Sequence, residues 1–147
     1  MKRLFNVVFA MAIATTSLLP AVHADDQDVI EYRQHIMSAM DEHVAMLGQI
    51  VSYAIPNDNV IVHLESLALI ASTALKAYEP KVPGGEAKPE IWSDWADFSE
   101  RMNEFTEKIS EAARLAKEVR GKDDALIDIL DVMTCKSCHE VYREEKE

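Results

Sequence analysis

The spacing of apolar positions in the first half of the chain predicts two helices. From Asp28 onward, apolar side chains recur at steps of three and four residues, which places them on one face of a helix. We expect this first helix to end near Ile55. Residues 56–59 then supply a proline and helix-capping side chains, and the same apolar spacing runs from Val60 to Tyr78. The pattern therefore indicates two consecutive helices joined by a short turn.

Two further helices are predicted in the second half. Residues 79–89 contain three prolines and a glycine pair, which interrupt helical structure and make this segment the longest loop. Ser93 or Asp94 can cap a third helix, which is expected to end at Arg120 and the glycine after it. Asp123 and its acidic neighbour complement the dipole at the start of a fourth helix, which ends in a charged tail.

The expected fold is all-α. The chain contains only four glycines in 147 residues, whereas strands would need more frequent turns and more runs of β-branched residues. Four amphipathic helices of similar length, mostly joined by short turns, bury their apolar faces best as an antiparallel bundle. We therefore predict that residues 25–147 form one domain, an up-down-up-down four-helix bundle.

The N-terminal residues are typical of a secretory signal peptide. Lys2 and Arg3 form a basic start, residues 4–19 are largely apolar, and small residues surround a cleavage site at residues 22–24. The alternative is a retained membrane anchor, but the apolar stretch is short and interrupted by three hydroxyl residues. We predict that residues 1–24 are removed and that the remaining domain resides in the periplasm, away from the membrane.

The charge of the chain argues against nucleic acid as a partner. Removing residues 1–24 takes away two basic residues and no acidic ones, so the net charge falls from −11 to −13. A protein of this charge is steered toward a positively charged docking surface, although the same charge also serves simply to keep a protein dispersed. Both interpretations remain open.

The motif that carries chemistry lies near the C-terminus. Cys135, Cys138 and His139 form the Cys-x-x-Cys-His pattern of c-type haem attachment, and the chain has no other cysteines. On a helix, residues three and four apart share a face, so that two thiols and an imidazole can converge on one flat ligand. Each thiol could bond one vinyl group of a haem, and the imidazole could bind its iron.

The cysteine pair has two other interpretations. A disulfide of the thioredoxin type belongs in a βαβ setting, which the helical pattern does not provide. A closed zinc site needs a fourth ligand and a second recognisable pair, and neither is present nearby in the sequence. The haem interpretation also agrees with secretion, because a free cysteine pair in an oxidising compartment would otherwise form a disulfide.

The motif and its position resemble the class II c-type cytochromes, the cytochrome c prime family. The match includes Cys-Lys-Ser-Cys-His-Glu-Val-Tyr-Arg at residues 135–143, Tyr-Arg-Gln at residues 32–34 and Lys-Pro-Glu-Ile-Trp-Ser at residues 88–93. The resemblance implies a four-helix bundle with one covalently attached haem c. It also implies that Cys135 and Cys138 form the thioethers and that His139 is the proximal iron ligand.

The resemblance places Met37 on the distal side of the iron, four positions after Arg33. Members of the family that resemble this chain carry methionine there as a sixth ligand, which implies a low-spin electron carrier with redox partner proteins. Members with an open distal site imply the alternative, a high-spin protein that binds nitric oxide or carbon monoxide. A displaceable methionine would combine both behaviours, and plain core packing of Met37 is a further interpretation.

The resemblance also suggests roles for side chains around the haem. It places Arg33 and Gln34 near a haem propionate and Arg143 beside the proximal face. It further makes a homodimer formed by the first two helices plausible, with a stable monomeric bundle as the alternative. We expect no enzymatic activity, because no nucleophile–base arrangement or substrate motif stands out. The remaining histidines of the first two helices are interpreted as ordinary surface or partly packed residues: His35, His43 and His63.

Overall fold

The structure is a computed structural model that describes residues 25–118 and 135–145. Its helices are α1 (Asp26–Val51), α2 (Val60–Ala74), α3 (Glu90–Ser93), α4 (Trp95–Glu118) and the motif helix (Lys136–Tyr142). Short 3₁₀ turns, Asn57–Asn59 and Leu75–Tyr78, flank α2. The predicted signal peptide of residues 1–24, the predicted end of the third helix at Arg120 and the predicted start of the fourth at Asp123 lie outside the described residues.

Helix α1 begins and ends earlier than its apolar spacing predicted. It begins at Asp26 because Asp25 and Asp28 form a reciprocal cap: the Asp28 backbone N–H donates to Asp25 Oδ1 over 2.8 Å, and the Asp25 N–H donates to Asp28 Oδ2 over 3.3 Å. The predicted end near Ile55 is wrong, since α1 stops at Val51. Tyr53 takes a φ of 58°, a left-handed conformation that cannot continue a helix.

Helix α2 lies at the centre of the described fold and packs against both α1 and α4. Its inward side chains are buried: Val60, Leu64, Leu67, Ala71 and Ala74. Within the described residues, the segment Asn57–Tyr78 is the one helical stretch whose length and mean hydropathy of 1.5 would also allow it to cross a membrane. An apolar helix at the core of a bundle meets the same two criteria, and the packing of α2 between two neighbours is of that kind.

The loop of residues 79–89 is folded against the C-terminal end of the motif helix. The Lys88 N–H donates to the carbonyl of Tyr142 over 3.1 Å, and the Glu144 N–H donates to the carbonyl of Glu86 over 2.9 Å. Isolated bridges are the extent of β structure in the part of the chain that the structure describes. This loop therefore connects the region before α4 directly to the haem motif.

A glycine pair allows the same loop to approach α1. Gly84 and Gly85 have φ values of 131° and 62°, which side chains with a Cβ rarely adopt. A Cβ at Gly84 would lie 2.8 Å from Ile30 Cδ1, and one at Gly85 would lie 2.9 Å from Gln34 Nε2. The positive φ values therefore favour glycine at both positions, and the absence of a Cβ also lets the loop lie close to the side chains of Ile30 and Gln34.

Candidate haem site

The structure brings the three motif residues together within one helical turn. Cys135 precedes the motif helix, and the His139 N–H donates to its carbonyl over 3.2 Å, which closes the first turn. Both thiols are free, with Cys135 exposed and Cys138 half-buried. Burial raises the pKa of each thiol. Both sulfurs are thus available for thioether bonds.

His139 is suited to bind an iron that is already held by a porphyrin. Burial, together with the nearby Arg143 cation, lowers the pKa of His139, which favours the neutral imidazole that coordinates metals. Within residues 25–118 and 135–145, no group of three or more histidine, cysteine or carboxylate side chains is placed to hold a bare metal ion. One imidazole beside two thiols fits a haem, because the porphyrin supplies the other iron ligands itself.

One face of α1 is turned toward the motif helix. The carboxylate of Asp41 helps to raise the pKa of Cys135, and its charge also acts to raise the pKa of His139. Met37 lies four residues before Asp41, on the same face of α1. Its side chain is half-buried and packs against the main core, as does that of Cys138. Distal ligation by Met37 stays a prediction, but the helix presents this residue on the appropriate side.

A hydrogen-bonded network fixes the motif helix against α4. Tyr142 Oη donates to Asp97 Oδ2 over 2.5 Å, and Arg101 Nε donates to the same oxygen over 2.6 Å. Arg101 Nη1 also donates to the carbonyl of Ser137, inside the motif, over 3.1 Å. These bonds lower the pKa of Asp97, and burial with donation to Asp97 raises the pKa of Tyr142 to about 12.

The sequence pattern did not identify Asp97 or Arg101 as residues of the site. Their spacing of four residues, acid before base, is typical of an ordinary ion pair on a helix surface. The signal that distinguishes them is Tyr142, whose ring is buried and whose hydroxyl needs a partner. Only the packing of α4 beside the motif helix reveals that partner.

Arg33 is the most deeply buried charged side chain that the structure describes, with 2% of its surface exposed. It donates to the carbonyls of Val82 over 2.7 Å and of Gly84 over 3.3 Å. Its guanidinium lies 5.2 Å and 5.3 Å from the ring centroids of Tyr78 and Trp92. Burial lowers the pKa of Arg33 and raises that of Tyr78 to about 12. Arg33 thus ties α1 to the loop, and its contact with a propionate stays a prediction.

The other two predicted haem contacts lie close to the same loop. Gln34 is exposed and its amide lies beside Gly85. Arg143 is about half exposed, with Nε 4.0 Å from a carboxylate oxygen of Glu86. Its positive charge helps to lower the pKa of His139. Both are therefore located around the motif, and their individual roles toward the haem stay predictions.

Comparison with known proteins gives a consistent match over the domain. A family model described as Cytochrome C' matches residues 28–143. The cytochrome c' of Alcaligenes xylosoxydans xylosoxydans is 30% identical over 126 residues, which span 84% of this chain and 98% of the relative. The similarity therefore includes α1, the haem motif and everything between them.

Solved structures of cytochrome c prime from Alcaligenes xylosoxidans share the fold. A ferrous variant with bound NO has a TM-score of 0.77 at 29% identity, covering 85% of this chain and 100% of that one. A carbon monoxide-bound variant has a TM-score of 0.76 at 29% identity, covering 83% and 98%. These matches confirm the predicted four-helix bundle and the single covalently bound haem c.

Proposed function

The chain belongs to the cytochrome c' family, and on this premise we propose that it binds nitric oxide and carbon monoxide at the distal position of its haem iron. The observation that carries the proposal is the half-buried His139 within one turn of two free thiols, in a fold whose relatives are seen with both gases. When bound, the haem supplies an iron that takes up diatomic ligands and changes its oxidation state.

The residues of this chain provide attachment and orientation. Cys135 and Cys138 hold the haem covalently, and His139 binds the iron through a neutral ring nitrogen, which its lowered pKa favours. Arg101 holds the backbone between the two cysteines through the Ser137 carbonyl. The site needs no general acid or base for this function, because binding a gas converts no substrate.

Met37 determines how readily a gas enters on the distal side. Its thioether lies on the face of α1 that is turned toward the motif, and it is a soft donor on that face. With a haem bound, this side chain would either line the path of a gas or occupy the position that a gas would take. Replacing the thioether with an alkyl group of similar size separates ligation from simple crowding.

The experiment is a carbon monoxide titration of the haem-loaded ferrous protein and of Met37→Leu. The matched control is Met46→Leu, a half-buried methionine on the same helix. The proposal predicts that carbon monoxide changes the absorption spectrum of all three proteins and that affinity changes only in Met37→Leu. A spectrum that carbon monoxide leaves unchanged in all three proteins would contradict the proposal.

A second candidate is an electron carrier in which Met37 is a permanent sixth ligand. The observation in its favour is that Met37 shares a face of α1 with Asp41. The charge of Asp41 helps to raise the pKa of Cys135 and of His139, so this face lies near the motif. A partner with a positively charged docking surface would suit a chain of net charge −11. Low-spin spectra in both oxidation states, lost in Met37→Leu and kept in Met46→Leu, would select this candidate.

The location and assembly of the protein are also part of the proposal. We place the domain in the periplasm after removal of residues 1–24, whose composition supports export. A homodimer through α1 and α2 is supported by Val62 and Leu69, seven residues apart on one face of α2 and 56% and 70% exposed. Native mass measurement of the unmutated protein and of Leu69→Glu tests it, with Ser93→Glu in α3 as the control for added charge outside α1 and α2.

A further inference from the structure

Two histidines meet between α1 and α2, apart from the haem motif. His43 on α1 and His63 on α2 lie with their Nδ1 atoms 3.2 Å apart. Their ring centroids are 5.4 Å apart, the ring planes are inclined by 56°, and both side chains are half-buried. From this geometry we propose that the pair binds a divalent transition-metal ion, with Zn²⁺ as the representative case, as a bridge between the two helices.

The distance between the two nitrogens matches the requirement of such an ion. Zinc binds histidine nitrogen at about 2.0–2.1 Å, so two nitrogens 3.2 Å apart subtend an angle of about 100° at a shared metal. This angle is close to that of tetrahedral coordination. The two nitrogens are therefore already spaced as ligands of one ion, and a tilt of the two rings would direct both lone pairs to it.

The surroundings of His63 also suit a metal. Burial, and then the neighbouring His43, lower the pKa of His63, which favours the neutral ring that binds metals. The metal takes both Nδ1 lone pairs, which leaves each ring protonated at Nε2. The net charge of −11 attracts cations to the protein in general, and the paired rings make one position selective for borderline metals.

The pair provides two protein ligands, and water completes the coordination of the ion. Two ligands held on separate helices bind more tightly than one, because the second ligand is already in place when the first binds. Removal of either ring is therefore expected to weaken zinc binding by about a hundredfold. Zinc that bridges two helices of the folded state, and not the unfolded chain, also raises the melting temperature of the protein.

The test is a zinc titration of the haem-loaded protein by isothermal calorimetry, with thermal unfolding followed in parallel. His43→Gln and His63→Gln remove one ligand each, and His35→Gln is the matched control because His35 is exposed on α1. We expect one zinc per chain for the unmutated protein and His35→Gln, with a raised melting temperature. Both effects should be lost in His43→Gln and in His63→Gln.

Two results would overturn the proposal. Equal zinc affinity in His43→Gln, His63→Gln and His35→Gln would place the ion elsewhere. No saturable binding to the unmutated protein would mean that the two rings form only a hydrogen bond from one Nδ1–H to the other Nδ1. Nitrogen NMR of the imidazoles distinguishes that bond from zinc ligation, because zinc must shift both Nδ1 signals together. The haem spectrum should stay constant throughout, since the pair lies outside the motif.

Discussion

Arg101 Nη1 donates a hydrogen bond to the carbonyl oxygen of Ser137 over 3.1 Å, and so links α4 to the backbone between the two cysteines of the motif. The same guanidinium binds Asp97, which in turn accepts a hydrogen bond from Tyr142. The motif helix is thereby held near its start and at its last residue. A fixed helix would hold His139 in one orientation toward the iron of a bound haem, as the proposed proximal ligand requires.

The first prediction concerns the hydroxyl of Tyr142. Tyr142→Phe keeps the buried ring but removes the hydrogen bond to the Asp97 carboxylate, so the free energy of unfolding should fall by about 1–2 kcal/mol. Denaturant unfolding of the haem-loaded protein measures this change. Tyr53→Phe is the control, because Tyr53 is 63% exposed in the turn after α1. Equal losses in the two variants would show that the Tyr142 hydroxyl contributes nothing specific.

The second prediction concerns acid stability. Hydrogen bonds from Arg101 and Tyr142 lower the pKa of Asp97 in the folded protein. Its carboxylate therefore contributes stability above its unfolded pKa of about 3.9, and this contribution is lost as the pH falls through the lower folded value. Asp97→Asn, which cannot lose that contribution, should show a shallower decline of stability below about pH 4.

Denaturant unfolding at a series of pH values measures these slopes. Asp58→Asn is a suitable control, because Asp58 is an exposed carboxylate in the 3₁₀ turn before α2. We expect Asp58→Asn to follow the unmutated protein more closely than Asp97→Asn does. If the Asp97→Asn protein lost stability with acid as steeply as the unmutated protein, the hydrogen bonds to Asp97 would not favour its charged form.

The third prediction compares alanine substitutions at two glycines, Gly84 in the loop and Gly48 in α1. Gly84→Ala forces a Cβ to within 2.8 Å of Ile30 at a φ of 131°, so it should cost about 1–3 kcal/mol. Gly48→Ala lies in α1 with open space around its Cβ, so it should stabilise the protein by about 0.5–1 kcal/mol. Thermal unfolding of both variants measures the expected loss of stability in Gly84→Ala and the expected gain in Gly48→Ala. Stabilisation by Gly84→Ala would mean that the loop does not approach α1 as described.

The sequence predicted the elements whose causes are local. Apolar spacing identified α1 and α2, and the spacing of Cys135, Cys138 and His139 was sufficient to identify the haem motif. The end of α1 was missed because Tyr53 adopts a left-handed conformation. Tyr53 is an ordinary aromatic residue and not a typical turn former, so its identity did not indicate that the helix stops there. The helical spacing of apolar residues alone does not predict where such a helix ends.

Contacts between distant segments were the part that the sequence could not provide. Arg33 was expected at a propionate, and that contact stays a prediction. The structure shows that its buried guanidinium binds two loop carbonyls about fifty residues away. The approach of His63 to His43 likewise depends on how α2 lies against α1, because each histidine alone is ordinary on its helix. Pairings of this kind depend on the angle and register of packed helices, which spacing within one helix does not determine.

The most direct test of gas binding is the absorption spectrum of the unmutated, haem-loaded ferrous protein before and after addition of carbon monoxide. The proposal predicts a spectrum that changes on addition of the gas and reverts when the gas is removed, because the ligand reaches the distal position of the iron. A low-spin spectrum that carbon monoxide leaves unchanged would contradict gas binding, and would favour the electron carrier, in which Met37 is the proposed sixth ligand.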